Sequence, residues 1–244
     1  MLHKPSPGHL HHQVALITGA TRGIGLAIAQ ALAAKGCNLV LTGRDQSALR
    51  HISRELASAK IRTLAHPCDI RDPQSIDDLF RAIRRQCKRL DILINNAGIA
   101  HANLTVDKLP LPLWQDVIET NLTGTFLVTQ AALTIMKRGG TIVNNLSIAA
   151  NRVFAGSGAY AASKHGALGF TNTLRDELRP KGIRVIALLP GATNTDIWNT
   201  FWPQAPRKKM MSPAAVAAAV VNAILLPPNA TVETLEILPT AGLL

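Results

Sequence analysis

Tyr160 and Lys164 are the pair of residues in this sequence best suited to moving a proton. Tyr160 is the only tyrosine, and Lys164 follows it by four residues, so on a helix both side chains project from one face. A free phenol has a pKa near ~10 and is a poor acid or base at neutral pH. A neighbouring ammonium favours the phenolate and lowers that pKa. Ser147 carries a hydroxyl that can hold a substrate oxygen by a hydrogen bond. The spacing of Tyr160 and Lys164 therefore predicts a proton-transfer pair.

A glycine-rich turn offers a second kind of chemistry. Residues 18–25 read Thr-Gly-Ala-Thr-Arg-Gly-Ile-Gly, between a predicted strand and a predicted helix. Glycines at these places permit a tight turn, a close approach of the backbone to a pyrophosphate and close packing of the helix. The first turn of the helix then presents free N–H groups to phosphate. The alternative is an ordinary strand-to-helix turn.

Strands and helices must alternate along the chain to position these residues. Short apolar runs predict strands at Val14–Thr18, Leu39–Thr42, Ile61–His66, Ile92–Ile94, Thr141–Asn145, Val185–Leu189 and Thr234–Leu238. Amphipathic stretches predict helices at Gly25–Ala34, Gln46–Ala57, Asp72–Cys87, Trp114–Thr120, Leu122–Lys137, Ser157–Arg179 and Pro213–Leu226. This alternation is typical of an α/β protein whose parallel sheet is covered on both faces.

The domain organisation follows from the same pass along the chain. Residues 13–244 show no repeat and no linker, so we expect one domain. Residues 1–12 are polar, hold four histidines and predict a disordered arm. These histidines lack the spacing and the cysteine or carboxylate partners of a metal site, so no metal is expected.

Composition narrows the functional classes. The chain has 244 residues, of which 47% are hydrophobic and 17% charged, so it can bury a core and global disorder is excluded. The longest apolar stretch, Ala214–Leu226, is too short to span a bilayer, and no signal peptide is evident. Three cysteines cannot all pair within one chain, and reduced thiols predict a cytoplasmic protein.

The net charge of +11 raises the question of an anionic partner. The basic residues are spread out, apart from local clusters at 81–89 and 207–209. The first cluster lies on several sides of one predicted helix, and no aromatic residue interleaves with it as in a single-strand binder. We therefore interpret it as a solvated surface and expect no nucleic acid.

Several further motifs occur in a fixed order after the glycine turn. They are Asn95-Asn96-Ala97-Gly98, Asn121 in Asn121-Leu122-Thr123-Gly124, Ser147 with Tyr160 and Lys164, and Pro190-Gly191 with Thr195. Together with the TGxxxGxG spacing they resemble the short-chain dehydrogenase/reductase family over residues 14–232. The resemblance implies a three-layer Rossmann-type fold with a parallel sheet of about seven strands.

The resemblance also implies a mechanism. In this family a hydride passes between a nicotinamide and a carbonyl carbon, which reduces a carbonyl or oxidises a secondary alcohol. By similarity, Tyr160 exchanges the proton with the substrate oxygen and Ser147 holds that oxygen. Lys164 binds the nicotinamide ribose and tunes Tyr160, and Asn121 supports a water relay to Lys164. These four are the expected catalytic residues.

The residue after the second strand indicates the form of the cofactor. An acidic side chain there would bind the ribose 2′-hydroxyl of NAD, but Gly43 and Arg44 occupy the position. Arg22 and Arg44 form a pair that can clamp a 2′-phosphate, which favours NADP(H) over NAD(H). Asp45 could instead pair with Arg44, and Arg44 could be a solvated loop residue.

The remaining cofactor contacts are implied by the resemblance. Asp69 matches the family aspartate at the adenine, and the alternative is a cap for the following helix. Thr193 and Thr195 match the residues at the nicotinamide amide, or are ordinary loop hydroxyls. The expected cofactor-binding residues are Gly19, Thr21, Arg22, Gly23, Ile24, Gly25, Arg44, Asp69, Ile70, Asn96, Ala97, Gly98, Tyr160, Lys164, Pro190, Gly191, Thr193 and Thr195.

The substrate side is less determined. Residues 196–212 match a mobile lid, whose bulky groups suit a hydrophobic substrate or pack the lid against the domain or a neighbouring subunit. The candidate pocket residues are His101, Ala149, Phe154, Trp198 and Trp202. The C-terminus lacks the glycine pair of typical 3-oxoacyl-carrier-protein reductases, which disfavours a fatty-acid substrate.

Assembly and the alternative functions complete the expectations. The helices at 122–137 and 157–179 are implied as the interface of a homo-oligomer, a dimer or a tetramer, and the partner is a small carbonyl or alcohol. The alternative class is a regulatory or scaffold protein that binds the cofactor without turnover. Its usual hallmark, loss of Tyr160 or Lys164, is absent here.

Overall fold

The computed structural model describes residues 10–58 and 61–243. In these ranges seven parallel strands form one sheet in the order β3-β2-β1-β4-β5-β6-β7, with helices on both faces. The strands are β1 Val14–Thr18, β2 Asn38–Gly43, β3 Thr63–Pro67, β4 Leu90–Asn95, β5 Met136–Asn145, β6 Arg184–Pro190 and β7 Thr234–Ile237. The helices are α1 Gly23–Ala34, α2 Gln46–Leu56, α3 Pro73–Gln86, α4 Leu111–Ile118, α5 Gly124–Leu133, α6 Gly158–Leu178, α7 Ile197–Phe201 and α8 Pro213–Ile224. The predicted three-layer Rossmann-type fold is confirmed.

The central strand β1 shows how the core divides between the two faces. Successive side chains of a strand point to opposite faces. Ala15 and Ile17 pack with buried residues of α1, α2 and α8, whereas Val14 and Leu16 pack with those of α3, α5 and α6. All five residues of β1 are buried, as the continuous apolar run predicted.

The strand order reverses at β1. The chain goes from β1 outward to β2 and β3, then returns to pair β4 with the other side of β1. In such sheets, ligands bind beyond the carboxyl ends of the strands at this reversal. Those ends carry Thr18, Asn95, Asn145 and Pro190, so the topology brings the sequence motifs to one edge.

Acidic side chains begin two of the helices. Asp45 Oδ1 accepts a hydrogen bond from Ala48 N–H at 3.0 Å and caps α2, and Asp72 caps α3 through Gln74 and Ser75. Asp69 therefore does not cap α3, and that alternative for Asp69 is wrong. Among the described side chains, Asp45 forms no ion pair with Arg44, because it caps the helix instead.

Among the predicted elements, the structure differs clearly at β5 and at α7. The helix predicted to run to Lys137 ends at Leu133, and β5 begins at Met136, where it pairs with Leu90 before a register shift that leaves extra residues in β5 between Met136 and Thr141. The shift explains why the apolar pattern predicted only the part of β5 from Thr141 onward. The five-residue helix α7 was not predicted, since it is too short to show a periodic pattern.

The N-terminal boundary also differs. The arm was predicted to extend to residue 12, but Leu10 is buried in the core and its N–H donates to Lys35 O at 2.8 Å. Residues 1–9, with most of the predicted arm, lie outside the described residues. The one-domain prediction for residues 13–244 stays a prediction.

The described residues include no candidate membrane span and no candidate metal cluster. No helix in residues 10–58 and 61–243 is long and apolar enough to cross a membrane. Across the same ranges, no group of three or more His, Cys, Asp or Glu side chains is placed to hold a metal ion. The three cysteines, Cys37, Cys68 and Cys87, are free.

Candidate active site

Two adjoining cavities lie at the carboxyl edge of the sheet. The larger, of about 760 Å³, runs along the glycine turn and the end of β2, and we call it the cofactor cleft. The smaller, of about 330 Å³, lies between the end of β5, the start of α6 and α7, and we call it the inner cavity. Both are lined by Ile24, Asn96, Gly98, Ala100, Asn145, Thr195 and Ile197. One extended ligand can therefore reach from the first to the second.

The glycine turn forms part of the wall of the cofactor cleft. Two of its residues adopt backbone conformations that favour glycine. Gly19 and Gly23 have φ values of +62° and +56°. A side chain at Gly19 would also place its Cβ 2.9 Å from Ala97 Cα. Arg22 precedes α1 without capping it through its side chain. The helix start thus offers backbone N–H groups to an anion in the cleft.

Gly25 has a different role from the other glycines. It lines neither cavity, and its expected place among the cofactor contacts stays a prediction. A Cβ at Gly25 would lie 2.3 Å from both Asn96 Nδ2 and Gly19 O. The missing side chain lets α1 pack against the two loops that form the cleft.

A Gly25→Ala substitution is therefore expected to destabilise the protein by about 1–3 kcal/mol, because either the helix or Asn96 must move. It should also weaken binding of the cofactor that the sequence predicts. The matched control is Gly169→Ala in α6, where a Cβ would have no neighbour within 4 Å and helix propensity predicts a gain of at most ~1 kcal/mol. Urea unfolding with and without NADP⁺ measures both effects. Equal stabilities of the two variants would contradict the packing role.

Asparagine side chains fix the loops at the ends of β1, β4 and β5. Asn96 Nδ2 donates to Thr18 O at 2.9 Å and to Gly19 O at 3.1 Å, and Asn96 Oδ1 accepts from Asn145 Nδ2 at 2.9 Å. Thr18 Oγ1 accepts from the backbone N–H groups of Asn96 and Ala97. Buried polar networks of this kind hold a site in one arrangement. Asn96 therefore positions the glycine turn as well as lining both cavities.

Ser147 and Tyr160 meet in the inner cavity. Ser147 follows β5 and Tyr160 lies in the first turn of α6. Burial raises the pKa of the Tyr160 phenol, and a hydrogen bond with Ser147 acts in the opposite direction. The pKa of Tyr160 is therefore raised overall, whereas the neighbouring Lys164 was expected to lower it. The phenol thus remains protonated at neutral pH in the ligand-free protein.

Lys164 lies one turn after Tyr160 and is almost fully buried. Its Nζ is 5.5 Å from the centroid of the Tyr160 ring and donates to Asn145 O at 3.0 Å. The ammonium thus donates to a backbone carbonyl and lies over the ring of the phenol. Burial lowers the pKa of Lys164 from 10.5 to about 8.

This lowered pKa predicts how stability depends on pH. Between about pH 8 and 10.5 the unfolded chain holds a proton on Lys164 that the native chain has lost, so the free energy of unfolding rises with pH. Below that range both states are protonated and the contribution is constant. In cofactor-free protein, we expect the free energy of unfolding of wild type, minus that of Lys164→Met, to increase from about pH 8 to pH 10.5. A flat or falling difference would contradict the buried ammonium.

Asn121 lies behind the inner cavity and not on its wall. It is buried within a π-helical segment, Glu119–Thr123, between α4 and α5. Its side-chain amide donates to Ile99 O and to Ser163 Oγ, and its Oδ1 accepts from Ile99 N–H at 2.8 Å. Asn121 therefore fixes the loop after β4 to α6. The expected water relay to Lys164 stays a prediction.

Arg22 and Arg44 both line the cofactor cleft, as expected for readers of a 2′-phosphate. Arg44 is exposed, and no salt bridge engages it within the described part of the chain. Arg22 Nη1 lies 3.7 Å from Asp196 Oδ2 in a pair that is mostly exposed to water. Such a pair is weak, so both guanidinium groups are available to an anion.

Asp69 also lines the cofactor cleft but already has a partner. Arg71 binds it through two nitrogens, with Nη2 2.7 Å from Asp69 Oδ2, and reaches Asp116 with Nη1 at 3.2 Å. Hydrogen bonds from Arg71 lower the pKa of the Asp69 carboxyl. Arg71 was not among the expected residues, although its place two residues after Asp69 is visible in the sequence. The adenine role of Asp69 stays a prediction.

The wall of the inner cavity includes four of the five candidate substrate residues: Ala149, Phe154, Trp198 and Trp202. The fifth, His101, is wrong as a lining residue. It is fully buried, and its Nδ1 lies 2.7 Å from Ala102 O. Phe201 lines the cavity but was not predicted, although the spacing of Trp198, Phe201 and Trp202 places the three on one face of a helix.

The lid at residues 196–212 is tied together at its base. Met211 N–H donates to Ala192 O, and Asn194 N–H donates to Met211 O. These two backbone hydrogen bonds hold the end of the lid against the residues that precede its start. Arg207 Nη1 donates to Thr195 O at 2.6 Å, and Nη2 donates to Asn199 Oδ1 at 2.7 Å. An arginine from the other end of the lid thus holds the cavity-lining residue Thr195 and the helix α7.

The other expected cofactor residues divide between the two cavities. Thr21, Ala97 and Ile70 line the cofactor cleft, while Pro190, Gly191 and Thr193 line the inner cavity. The Thr193 hydroxyl donates to Gly191 O at 3.0 Å, and Thr193 O accepts from Trp198 Nε1 at 2.9 Å. The backbone of Thr193 therefore joins the loop after β6 to the lid.

Known proteins with similar sequences and structures agree with this arrangement. The family described as short chain dehydrogenase matches residues 13–206. A 3-oxoacyl-[acyl-carrier-protein] reductase of Aquifex aeolicus is 37% identical over 87% of this chain and 90% of its own. An alcohol dehydrogenase from Thermococcus sibiricus complexed with 5-hydroxy-NADP superposes with a TM-score of 0.87, at 30% identity over 94% of this chain and 97% of its own. A 3-ketoacyl-(acyl-carrier-protein) reductase from Brucella melitensis complexed with NADH gives 0.84, at 27% identity over 94% and 98%.

Proposed function

The chain belongs to the short-chain dehydrogenase family and is an oxidoreductase that acts on CH–OH groups, and we propose that it reduces a ketone with NADPH through Tyr160. One observation carries the proposal. Ser147, Tyr160 and Lys164 line a cavity that opens into a cleft formed by a glycine turn and a free helix start. A proton donor and a phosphate site thus lie within reach of one dinucleotide.

The residues present fit a nicotinamide dinucleotide. The glycines of the turn leave the backbone accessible, and the start of α1 has no side-chain cap that would compete for its N–H groups. Arg22 and Arg44 would hold a 2′-phosphate, Asp69 and Ile70 the adenine end, and Thr193 and Thr195 the nicotinamide end. When bound, the cofactor supplies the hydride.

The residues of the chain perform the rest of the reaction. Ser147 holds the substrate oxygen, and the Tyr160 phenol donates a proton to that oxygen as negative charge develops on it. Burial, which raises the pKa of Tyr160, keeps this proton in place at neutral pH and so suits the reductive direction. Lys164, Asn145 and Asn121 hold α6 and the neighbouring loops in position.

Preference for NADP(H) rests on charge. Arg22 and Arg44 line the cofactor cleft, and the position that would carry an acidic ribose reader holds Gly43. Of the two solved relatives described above, one was complexed with an NADP derivative and the other with NADH. The arginine pair of this chain is therefore the argument for NADP(H), and the relatives do not decide it.

A 3-oxoacyl thioester is one substrate class to include. The name of the Aquifex aeolicus relative gives such a substrate for that protein. The residues that directly follow β7 argue the other way, because they read Leu238-Pro239-Thr240 where typical reductases of that class have a glycine pair. Leu238 and Pro239 pack at Gly191 instead, within the loop that borders the inner cavity.

Assembly and location remain part of the proposal. Phe126 on α5 is 42% exposed and packs edge-on against Phe170 on α6, with 6.0 Å between the ring centroids. An apolar patch on these two helices supports the homo-oligomer implied by the family. Free cysteines support the predicted cytoplasmic location.

The proposed function is tested by steady-state oxidation of NADPH, with NADH in parallel, against ketones of several classes. The panel comprises 3-oxoacyl thioesters, quinones, steroids, aromatic ketones, α-diketones and keto-sugars. We expect turnover to be concentrated in one class and to favour NADPH. Tight NADPH binding with no turnover in any class would instead support the cofactor-binding regulator.

A further inference from the structure

More than half of the aromatic residues of this chain line the inner cavity. The sequence has five Phe, three Trp and one Tyr. Five of these nine residues line the inner cavity: Phe154, Tyr160, Trp198, Phe201 and Trp202. Among the described residues, Phe80 is the only aromatic residue of the buried hydrophobic core, so the concentration of rings at the inner cavity needs a specific explanation.

Four of the rings form a continuous series from the phenol to the surface. The centroids of Tyr160 and Phe201 are 6.0 Å apart, those of Phe201 and Trp198 are 5.8 Å apart, and those of Trp198 and Trp202 are 6.4 Å apart. The planes are inclined by 46° to 73°, which is the range of tilted and edge-to-face pairs. We call Trp198, Phe201 and Trp202 the lid rings.

The lid rings are not buried in the protein core. No residue of α7 is buried, and Trp202 remains 41% exposed. Large apolar side chains that line a cavity and stay accessible mark a site for another molecule. Packing of the lid against the domain, one of the explanations left open by the sequence, therefore accounts for only part of their surface.

The charges around the cavity restrict what can bind. Among the described residues that line it, Lys164 alone carries a charged side chain, and its Nζ donates to Asn145 O. No described arginine lines the cavity to bind a carboxylate or phosphate of the substrate. Small side chains complete the wall and leave width beside the rings; they include Ala149, Ala155 and Ala192.

Resting on the proposed function, we propose that the substrate is an uncharged aryl ketone whose aromatic ring lies against the lid rings. Phe201 is the lid ring that packs against Tyr160, so a ring attached directly to the carbonyl carbon would meet it. In the reduction, the carbonyl carbon gains a hydride from NADPH, the oxygen gains the Tyr160 proton, and solvent returns a proton to Tyr160. The products are a benzylic-type alcohol and NADP⁺.

The proposal is tested by calorimetric binding of two product-like alcohols to the complex of the enzyme with NADPH. 1-Phenylethanol and 1-cyclohexylethanol share a carbon skeleton and differ in the aromatic ring, and NADPH can reduce neither. We expect 1-phenylethanol to bind at least about fivefold more tightly. Equal affinities, or tighter binding of the saturated alcohol, would overturn the aryl assignment.

Variants of the lid locate the preference. Trp198→Leu is expected to weaken binding of 1-phenylethanol about tenfold and binding of 1-cyclohexylethanol much less. Trp198→Phe keeps a ring but loses the hydrogen bond to Thr193 O, and it should retain most of the affinity. Trp114→Leu, on α4 and outside both cavities, should change neither. Equal weakening of both alcohols by Trp198→Leu would show that the lid supplies apolar area only and would overturn the aryl assignment.

Kinetics separate this inference from the proposed function. Acetophenone should have a KM at least about fivefold below that of cyclohexyl methyl ketone. Reduction of a linear 3-oxoacyl thioester in preference to both ketones would refute the aryl substrate and leave the proposed function intact. Selective binding of 1-phenylethanol without reduction of any ketone would refute the proposed function and leave the ring site intact.

A second copy of the chain is the competing occupant of the lid rings. Sedimentation of wild type and Trp202→Leu distinguishes it. We expect the two proteins to have the same mass in solution. Dissociation of an oligomer by Trp202→Leu, with unchanged binding of 1-phenylethanol, would identify the rings as a subunit interface and overturn the inference.

Discussion

Replacement of Tyr160 by Phe is expected to lower kcat by a factor between about 10² and 10⁴, with the affinity for NADPH nearly unchanged. The substitution removes one oxygen and keeps the ring that packs against Phe201. Besides Tyr160 and Ser147, the described cavity-lining side chains with a hydroxyl or ammonium proton are those of Lys164, Ser157, Thr193 and Thr195. Lys164 donates to Asn145 O, Ser157 to Phe154 O and Thr193 to Gly191 O. The Thr195 hydroxyl is an aliphatic alcohol and so a far weaker acid than a phenol. We therefore expect no other side chain to replace the phenol as proton donor.

The expected loss is measured with a ketone identified by the substrate panel, alongside NADPH binding and urea unfolding of the same variant. Retained NADPH affinity and stability are the controls for an intact fold. Turnover within a few-fold of wild type would contradict the assignment of Tyr160 as the acid. That result would indicate that solvent supplies the proton.

The second large effect is expected at Arg44. Arg44→Asp should raise the KM for NADPH by about 10- to 100-fold, because a charge-assisted contact to the 2′-phosphate is replaced by repulsion. The new carboxylate can accept hydrogen bonds from the ribose hydroxyls of NADH, so the preference should shift toward NADH. The ratio of kcat/KM for the two cofactors measures the shift.

Arg50→Asp is the matched control for this experiment. Arg50 lies on the exposed side of α2, carries the same charge and does not line the cofactor cleft. It should leave the ratio almost unchanged apart from a small long-range effect that salt screens. An unchanged ratio in Arg44→Asp, or equal changes in both variants, would show that Arg44 does not read the phosphate.

Much of this site could be predicted from the sequence because its motifs lie where strands end. Thr18, Asn95 and Pro190 each close an apolar run, and a parallel sheet brings those ends to one edge. Periodicity alone predicted the seven strands. The role of Ser147, Tyr160 and Lys164 as one cluster depended on the family resemblance, since they come from two separate elements.

Other parts of the site depend on contacts that periodicity does not encode. His101 follows the Asn95–Gly98 motif, but the loop turns its ring into the interior. The raised pKa of Tyr160 reflects burial, which helix spacing cannot reveal. Asp69 is held by Arg71 across two residues, and the lid is fixed by Arg207 from its far end. Each of these features follows from tertiary packing around a loop.

The most direct measurement is a single-turnover reaction with NADPH that carries deuterium on the transferred position of nicotinamide C4. A ketone from the reactive class is mixed with excess enzyme, and the alcohol is examined by mass spectrometry. We predict one deuterium on the carbinol carbon with wild type and hardly any product with Tyr160→Phe over the same time. Bound NADPH that transfers no deuterium to any ketone would contradict the account and leave a protein that binds the cofactor without reducing a carbonyl.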